Sequence, residues 1–96
     1  MATAVDVGVM TVTADAQLSP ILEQLDQLVE DTSVPRNIRR GAKDSKDRLS
    51  SNADAQDVRV AGALTILDEL ANDPNIPLHG RTLIWSIISQ LESMRG

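Results

Sequence analysis

The chain of 96 residues contains no cysteine, one histidine (His79) and one aromatic side chain (Trp85). Without cysteine it cannot form a disulfide, a thiolate metal site or a cysteine nucleophile. A single histidine excludes a metal site built from several histidines of one chain. We therefore expect no cofactor and no metal.

No apolar run approaches the ~20 residues that a helix needs to cross a bilayer,. The first residues lack the basic and apolar regions of a secretory signal,. We expect a cytoplasmic protein with no membrane partner.

Aromatic side chains are almost absent, so the core of the protein must be built from Leu, Ile, Val and Ala. The formal net charge of −5 argues against broad binding to a phosphate backbone,. The charge is uneven, because residues 33–50 hold six basic and two acidic side chains, a net charge of +4.

An internal repeat relates residues 18–49 to residues 60–91 at a constant offset of 42. Such a period indicates one supersecondary unit used twice. The identical pairs are Leu22/Leu64, Leu25/Leu67, Asp26/Asp68, Leu28/Leu70, Asp31/Asp73, Pro35/Pro77, Arg39/Arg81 and Leu49/Leu91. Each copy reads as a helix, a short turn ending in (Val/Ile)-Pro, and a second helix.

The apolar spacing predicts four helices, at Leu18–Glu30, Pro35–Leu49, Asp54–Ala71 and Pro77–Met94, with Asp54 as the N-cap of the third,. The short turns require antiparallel neighbours. We predict an all-α, up-and-down four-helix bundle made of two αα-hairpins.

Residues 1–17 differ from the rest of the chain, because Val5, Val7 and Val9 alternate with small or polar residues. A single strand has no partner in a helical bundle. We expect residues 1–17 to form a flexible N-terminal leader and residues 18–96 to form the bundle domain. Met10 is an alternative to Met1 as the native start.

The acid and the arginine around each turn recur in both hairpins, as Asp31 with Arg39 and Asp73 with Arg81. We interpret them as structural, since both hairpins need a closed turn. Either the two charges pair, or the guanidinium binds carbonyls at the end of the preceding helix.

The second helix carries a basic face. Its members are Arg36, Arg39, Arg40, Lys43 and Lys46. Its cations either lie against acidic helices of the same chain or bind an acidic protein or nucleic acid. No aromatic side chain lies nearby to stack on a base, which weakens the case for single-stranded nucleic acid.

The fourth helix is apolar over more of its circumference than a bundle needs. Ile84, Ile87, Ile88 and Leu91 follow the core spacing. Leu83, Trp85 and Met94 are left as a candidate interface, most simply of a two-fold homodimer. The competing account is a central helix that is buried within one chain.

No nucleophile elbow, phosphate-binding glycine loop or metal-ligand spacing is present, and His79 is interpreted as a surface residue,. We expect a non-enzymatic module for protein–protein interaction or self-association. The alternative is an RNA- or ribosome-associated accessory protein that uses the basic face of the second helix.

Two segments of the chain, Val29–Ala42 (VEDTSVPRNIRRGA) and Leu67–Glu92 (LDELANDPNIPLHGRTLIWSIISQLE), closely resemble an archaeal family, uncharacterised protein family 0147. The resemblance covers about Leu18–Glu92. It implies an archaeal source and a compact four-helix bundle. It implies no activity, and no catalytic residues are carried over from it.

Overall fold

The structure is a computed structural model that describes residues 18–51 and 53–95. These residues contain four helices and no strand: α1 over residues 18–30, α2 over Arg36–Ser50, α3 over Gln56–Ala71 and α4 over Leu78–Arg95. The predicted all-α four-helix architecture is confirmed. The predicted leader, residues 1–17, lies outside the described residues.

The four helices follow one another around the core in chain order. α2 packs against α3, and α3 packs against α4. An ion pair of 2.6 Å between Lys46 Nζ and Asp26 Oδ1 joins α2 to α1. α1 and α4 are joined by their side-chain amides, since Gln90 Nε2 donates to Gln24 Oε1 at 3.1 Å. The short connections make successive helices antiparallel.

The core is aliphatic, as the composition predicts. Its largest fully buried side chains are Ile21, Leu25, Leu28, Val34, Ile38, Leu49, Val60, Leu67, Ile84, Ile87 and Leu91. Burial of one such side chain, relative to leaving it exposed, contributes about 1.5–3 kcal/mol to the free energy of unfolding. These side chains come from all four helices and from the first turn, so one core holds both hairpins together.

α2 buries a narrow stripe, in which two small residues, Ala42 and Ser45, lie between Ile38 and Leu49. The Ser45 hydroxyl donates a hydrogen bond of 3.0 Å to the Gly41 carbonyl, which satisfies this buried polar group,. Because these side chains are short, the α2 backbone can approach α3 closely.

The start of α3 differs from the prediction. Ala55 is the N-cap and no side chain caps the helix, which begins at Gln56 rather than at Asp54. Asp54 lies one residue before the capping position, so its carboxylate is not placed to accept from the first free amides of the helix.

Candidate functional site

The two turns between paired helices have the same hydrogen-bond geometry. Asp31 Oδ1 accepts from the Ser33 backbone N–H at 2.9 Å, and Asp73 Oδ1 accepts from the Asn75 N–H at 2.8 Å. Both are Asx turns, in which an aspartate binds the backbone two residues further along. The offset of 42 therefore relates individual hydrogen bonds as well as residue types.

The two arginines related by the repeat, Arg39 and Arg81, bind carbonyls of the turns and not the turn aspartates. Arg39 Nε donates to the Val34 carbonyl at 3.1 Å, and Arg81 Nη2 donates to the Asp73 carbonyl at 3.4 Å. The ion pairs of the described residues include neither arginine. Of the two predicted alternatives, the ion pairs of Asp31 with Arg39 and of Asp73 with Arg81 are therefore wrong, and binding of the guanidinium to carbonyls is what the structure shows. The carboxylates already accept other donors, and the accepting carbonyls belong to the turns rather than to the helix ends.

The remaining oxygen of each turn aspartate accepts a donor from the other hairpin. His79 Nε2, at the start of α4, lies 2.9 Å from Asp31 Oδ2. Asn37 Nδ2, at the start of α2, donates to Asp73 Oδ2 at 2.8 Å. Positions 37 and 79 differ by the repeat offset of 42, so the two contacts are equivalent. This reciprocity is the mark of an approximate two-fold relation between the hairpins.

Ser33, His79 and Asp31 lie together but do not form a nucleophilic relay. In such a relay the imidazole uses one nitrogen for the serine and the other for the carboxylate. Here Nε2 faces both Asp31 Oδ2 and Ser33 Oγ, the latter at 3.3 Å. The Ser33 hydroxyl donates a hydrogen bond of 2.6 Å to Asp31 Oδ1. This hydrogen bond is the largest cause that lowers the pKa of Asp31 to about 2, and the hydrogen bond from His79 is the second.

No group of three or more histidine, aspartate or glutamate side chains is placed to hold a metal ion within residues 18–51 and 53–95. In the same part of the chain, no helix combines the length and apolarity that a membrane crossing demands.

Two of the five residues of the predicted basic face are bound within the chain and half-buried. They are Arg39, bound to the first turn, and Lys46, paired with Asp26. The Asp26 carboxylate raises the pKa of the Lys46 ammonium.

Lys43, also on the predicted basic face, is exposed, and its Nζ lies 3.3 Å from Asp47 Oδ2 on the next turn of α2. Arg36 and Arg40 are exposed as well. Within the described residues these two have no hydrogen-bond or ion-pair partner. Judged by the contacts of residues 18–51 and 53–95, the two cations of the basic face without such a contact are Arg36 and Arg40, near the start of α2.

A shallow groove of about 520 Å³ lies between α1 and α2. Its lining consists of Leu18, Ser19, Leu22, Glu23, Asp26, Lys46, Leu49 and Ser50. The Lys46–Asp26 ion pair spans the groove wall, so its cation is already neutralised by the opposite helix.

α4 presents a continuous exposed stripe to solvent. We define the outward face of α4 as Leu78, Thr82, Trp85, Ser89 and Glu92, all of which are exposed. Trp85 is 56% exposed and Leu78 is 75% exposed. Trp85 and Leu78 are among the few large apolar side chains that the described residues leave exposed.

Residues 18–51 and 53–95 do not bury α4 on all sides, since they leave Trp85 exposed. The core positions Ile84, Ile87 and Leu91 are buried as predicted. Leu83 and Met94 were predicted to point toward an interface, but both are partly buried against the core. Leu78 was not among the predicted interface residues, although it lay within the predicted fourth helix and is 75% exposed.

The equivalent surface of α2 has the opposite chemistry. The repeat offset places Arg36, Arg40, Lys43, Asp47 and Ser50, all exposed, at the positions of the outward face of α4. We call these five residues the outward face of α2. Four of its five residues are charged, whereas Glu92 is the one charged residue on the outward face of α4. The fold therefore accepts charge at these positions and does not itself require an apolar face.

A model of the uncharacterised protein family UPF0147 matches residues 5–94. The chain belongs to this family. The match begins further toward the N-terminus than the resemblance at Leu18–Glu92 and includes part of the predicted leader.

Archaeal members of UPF0147 are close in sequence. The UPF0147 protein of Methanothermobacter thermautotrophicus is 51% identical over 75 residues, which are 78% of this chain and 74% of that protein. The relative from Pyrococcus furiosus is 42% identical over 92 residues, which are 95% of this chain and 98% of the relative.

The fold also agrees with solved structures of similar proteins. The crystal structure of a UPF0147 protein from Thermoplasma acidophilum matches with a TM-score of 0.80 at 45% identity, over 83% of this chain and 94% of that chain. A crystal structure of a protein of unknown function matches with the same TM-score at 44% identity. The family is uncharacterised, so its name carries no activity to this chain.

Proposed function

We propose that this UPF0147 protein is a non-enzymatic interaction module that binds protein through the outward face of α4. The observation that carries the proposal is the exposure of Trp85 on a stripe without charge from Leu78 to Ser89. Protein interfaces are depleted of charged residues at their centres and enriched in tryptophan.

The contrast with α2 supports this proposal. All ten residues of the two outward faces are exposed, yet four of the five on α2 are charged, whereas Glu92 is the one charged residue on α4. Thr82 and Ser89 are short and flank Trp85 on the same stripe. A helix docked over these residues can approach closely, and the indole would act as the central anchor.

The non-enzymatic part of the proposal is supported by the geometry at the turns. The histidine that lies beside a serine and an aspartate is engaged by both through one nitrogen, and the serine proton is directed at the carboxylate. Within the described residues, the acceptor of the Ser33 hydroxyl proton is a carboxylate with a pKa of about 2, which is too weak a base to activate the hydroxyl,.

The test is affinity purification of the tagged chain from an archaeon that carries a family member, followed by quantitative mass spectrometry. Trp85→Ser should lose the proteins that the wild type enriches. Lys43→Ser is the matched control, because it truncates the equivalent position of α2, and it should retain them. If wild type and Trp85→Ser enrich the same proteins, the proposal is refuted.

A second candidate function is RNA binding through α2, which is favoured by one observation, the exposure of Arg36 and Arg40 one helical turn apart. Two phosphate contacts give an affinity that falls by roughly one order of magnitude between 50 and 200 mM salt. Fluorescence anisotropy with a labelled RNA duplex tests this function. Binding that is salt-dependent and lost in Arg36→Ser/Arg40→Ser would establish it in place of the α4 proposal.

A further inference from the structure

The groove between α1 and α2 has an apolar lining that the described residues leave partly uncovered. Leu18 and Leu22 line it from α1, and Leu49 lines it from α2. Leu18 and Leu22 are only partly buried, although their side chains pack against the core. The groove of about 520 Å³ therefore offers a surface on which further apolar side chains can be removed from water,.

The internal repeat shows that such exposure is not a general property of the hairpin. The offset of 42 places Val60 at the position of Leu18 and Leu64 at the position of Leu22. Val60 is 2% exposed and Leu64 is 7% exposed, so both positions are covered in the second hairpin. Among the described residues, the first hairpin lacks the cover that the second hairpin has.

Residues 1–17 are the part of the chain that is long enough to supply this cover. The rest of the chain outside the described ranges consists of two single residues, at positions 52 and 96. Residue 17 joins α1 at Leu18, and Leu18 and Ser19 line one end of the groove, so the segment begins beside it. The family model matches from residue 5 onward and thus includes most of the segment.

The apolar pattern of this segment fits the groove in length. Val5, Val7 and Val9 alternate with small or polar residues, so an extended chain presents all three on one side,. The four residue steps from the first valine to the third span about 13 Å. The α1 side of the groove, from residue 18 to residue 26, spans about 12 Å,. Residues 10–17 can bridge roughly 26 Å, which lets the chain turn back along the groove.

Docking in the groove does not require a sheet. A single strand is marginal in water because it has no surface to pack against, whereas here the valines would pack on leucines. The open side of the shallow groove leaves the backbone amides and carbonyls of the segment accessible to water, which can satisfy them. Asp6 and Gly8, which alternate with the valines, would face that side,.

We infer that residues 5–9 dock as an extended segment in the groove between α1 and α2 of the same chain, with their three valines against the three leucines of the groove. This inference goes beyond the proposed function, because it concerns a surface that does not include the outward face of α4. The segment would complete the core of the first hairpin. A flexible leader, as expected from the sequence, is the competing account.

Introduced thiols test the docking in the full chain, because the chain has no cysteine of its own. Val7 is the middle valine, so it faces the middle of the groove whichever way the segment runs. Glu23 is exposed and lies near the middle of the α1 side. On oxidation, Val7→Cys/Glu23→Cys should form an intramolecular disulfide at least about tenfold faster than Asp6→Cys/Glu23→Cys, whose first thiol points away from the groove.

Non-reducing gel electrophoresis and mass spectrometry separate the outcomes of the crosslinking experiment. Equal rates for the two double variants would show a segment that reaches Glu23 without docking, and the inference would be overturned in favour of the flexible leader. Disulfide-linked dimers in place of the crosslinked monomer would show that the groove takes the segment of a second copy, which overturns docking within one chain.

The thermal melt of the full chain gives an independent measurement. Val5→Ser/Val7→Ser/Val9→Ser should lower Tm by at least about 8 °C, because three apolar side chains lose their contacts with the groove. Val58→Ser is the control, since it truncates a valine of α3 that is 49% exposed, and it should change Tm by no more than about 3 °C. A triple variant that melts within the range of this control overturns the inference.

Discussion

Glycine-to-alanine substitutions at two helical positions should have opposite effects on stability. At Gly41 in α2, an added Cβ would lie 2.6 Å from Leu70 Cδ2 and 3.0 Å from its Cγ. At Gly62 in α3, the added Cβ would also meet an atom at 2.6 Å, but that atom is Cδ of Arg48. Leu70 is buried in the core, whereas Arg48 is exposed and can move into solvent.

The magnitudes follow from two competing terms. Alanine is favoured over glycine in a helix interior by about 1 kcal/mol, and overpacking of a closely packed core costs about 1–3 kcal/mol. For Gly62→Ala the first term dominates, so we expect stabilisation of about 1 kcal/mol. For Gly41→Ala the terms oppose one another, so we expect a loss of about 1 kcal/mol. The two variants should then differ by about 2 kcal/mol.

Urea unfolding followed by circular dichroism at 222 nm measures both free energies of unfolding. The measurement should use the Trp85→Ser background, so that self-association does not contribute. A difference of this size corresponds to about 8–16 °C in Tm for a domain of this length. If Gly41→Ala is stabilised as much as Gly62→Ala, the close approach of α2 to Leu70 does not constrain the fold and the reasoning is refuted.

Arg39→Ala and Arg81→Ala should each lower the free energy of unfolding by about 1–3 kcal/mol, since each leaves a turn carbonyl without its donor,; unchanged thermal melts in both would contradict this. The pKa of Asp31 is about 2 in the folded chain, below the ordinary value of 3.8. Its stabilising contribution should therefore be complete above pH 4 and be lost as the pH falls toward 2. In an acid titration from pH 4 to pH 2, Asp31→Asn should lose less of its free energy of unfolding than the wild type loses. Leu67→Ala should lower the free energy of unfolding by about 2–5 kcal/mol because Leu67 is fully buried,. Leu78→Ala in the Trp85→Ser background should change it by less than about 0.5 kcal/mol. Similar losses in these two leucine variants would show that the assigned core is wrong.

The helices and their buried stripes could be predicted from the sequence because burial imposes a period on the chain. Ile38, Ala42, Ser45 and Leu49 are buried at helical spacing even though the stripe contains a serine. The repeat also predicted which helices form hairpins, because two helices joined by a turn of a few residues must pack beside each other.

The contacts between hairpins could not be read from residue types alone. Asn37 and His79 occupy equivalent positions but share no chemical class, so the repeat did not mark them as partners of the two turn aspartates. The arginines that do repeat were considered as partners of those aspartates, with backbone carbonyls as the alternative. A search for donors at equal offsets, whatever their residue type, would have found the pair.

The candidate interface was predicted in part. The excess of apolar residues in α4 indicated a second surface, and Trp85 lies on it. Helical spacing alone did not show that Leu83 and Met94 fall within reach of the core, because the width of a buried stripe depends on how the neighbouring helices pack,. Leu78 completes the stripe at the point where the helix leaves the turn.

The reciprocal contacts of Asp31 with His79 and of Asp73 with Asn37 have a consequence for how the chain can be divided. Each hairpin contains one donor and one acceptor for the other, so every such bond survives a cut in the connection after α2. Two separately expressed halves would retain matching surfaces and could reconstitute the bundle. The chain has the layout that a gene fusion of two copies of one self-pairing hairpin would produce, with its two outer faces free to diverge once they were encoded separately.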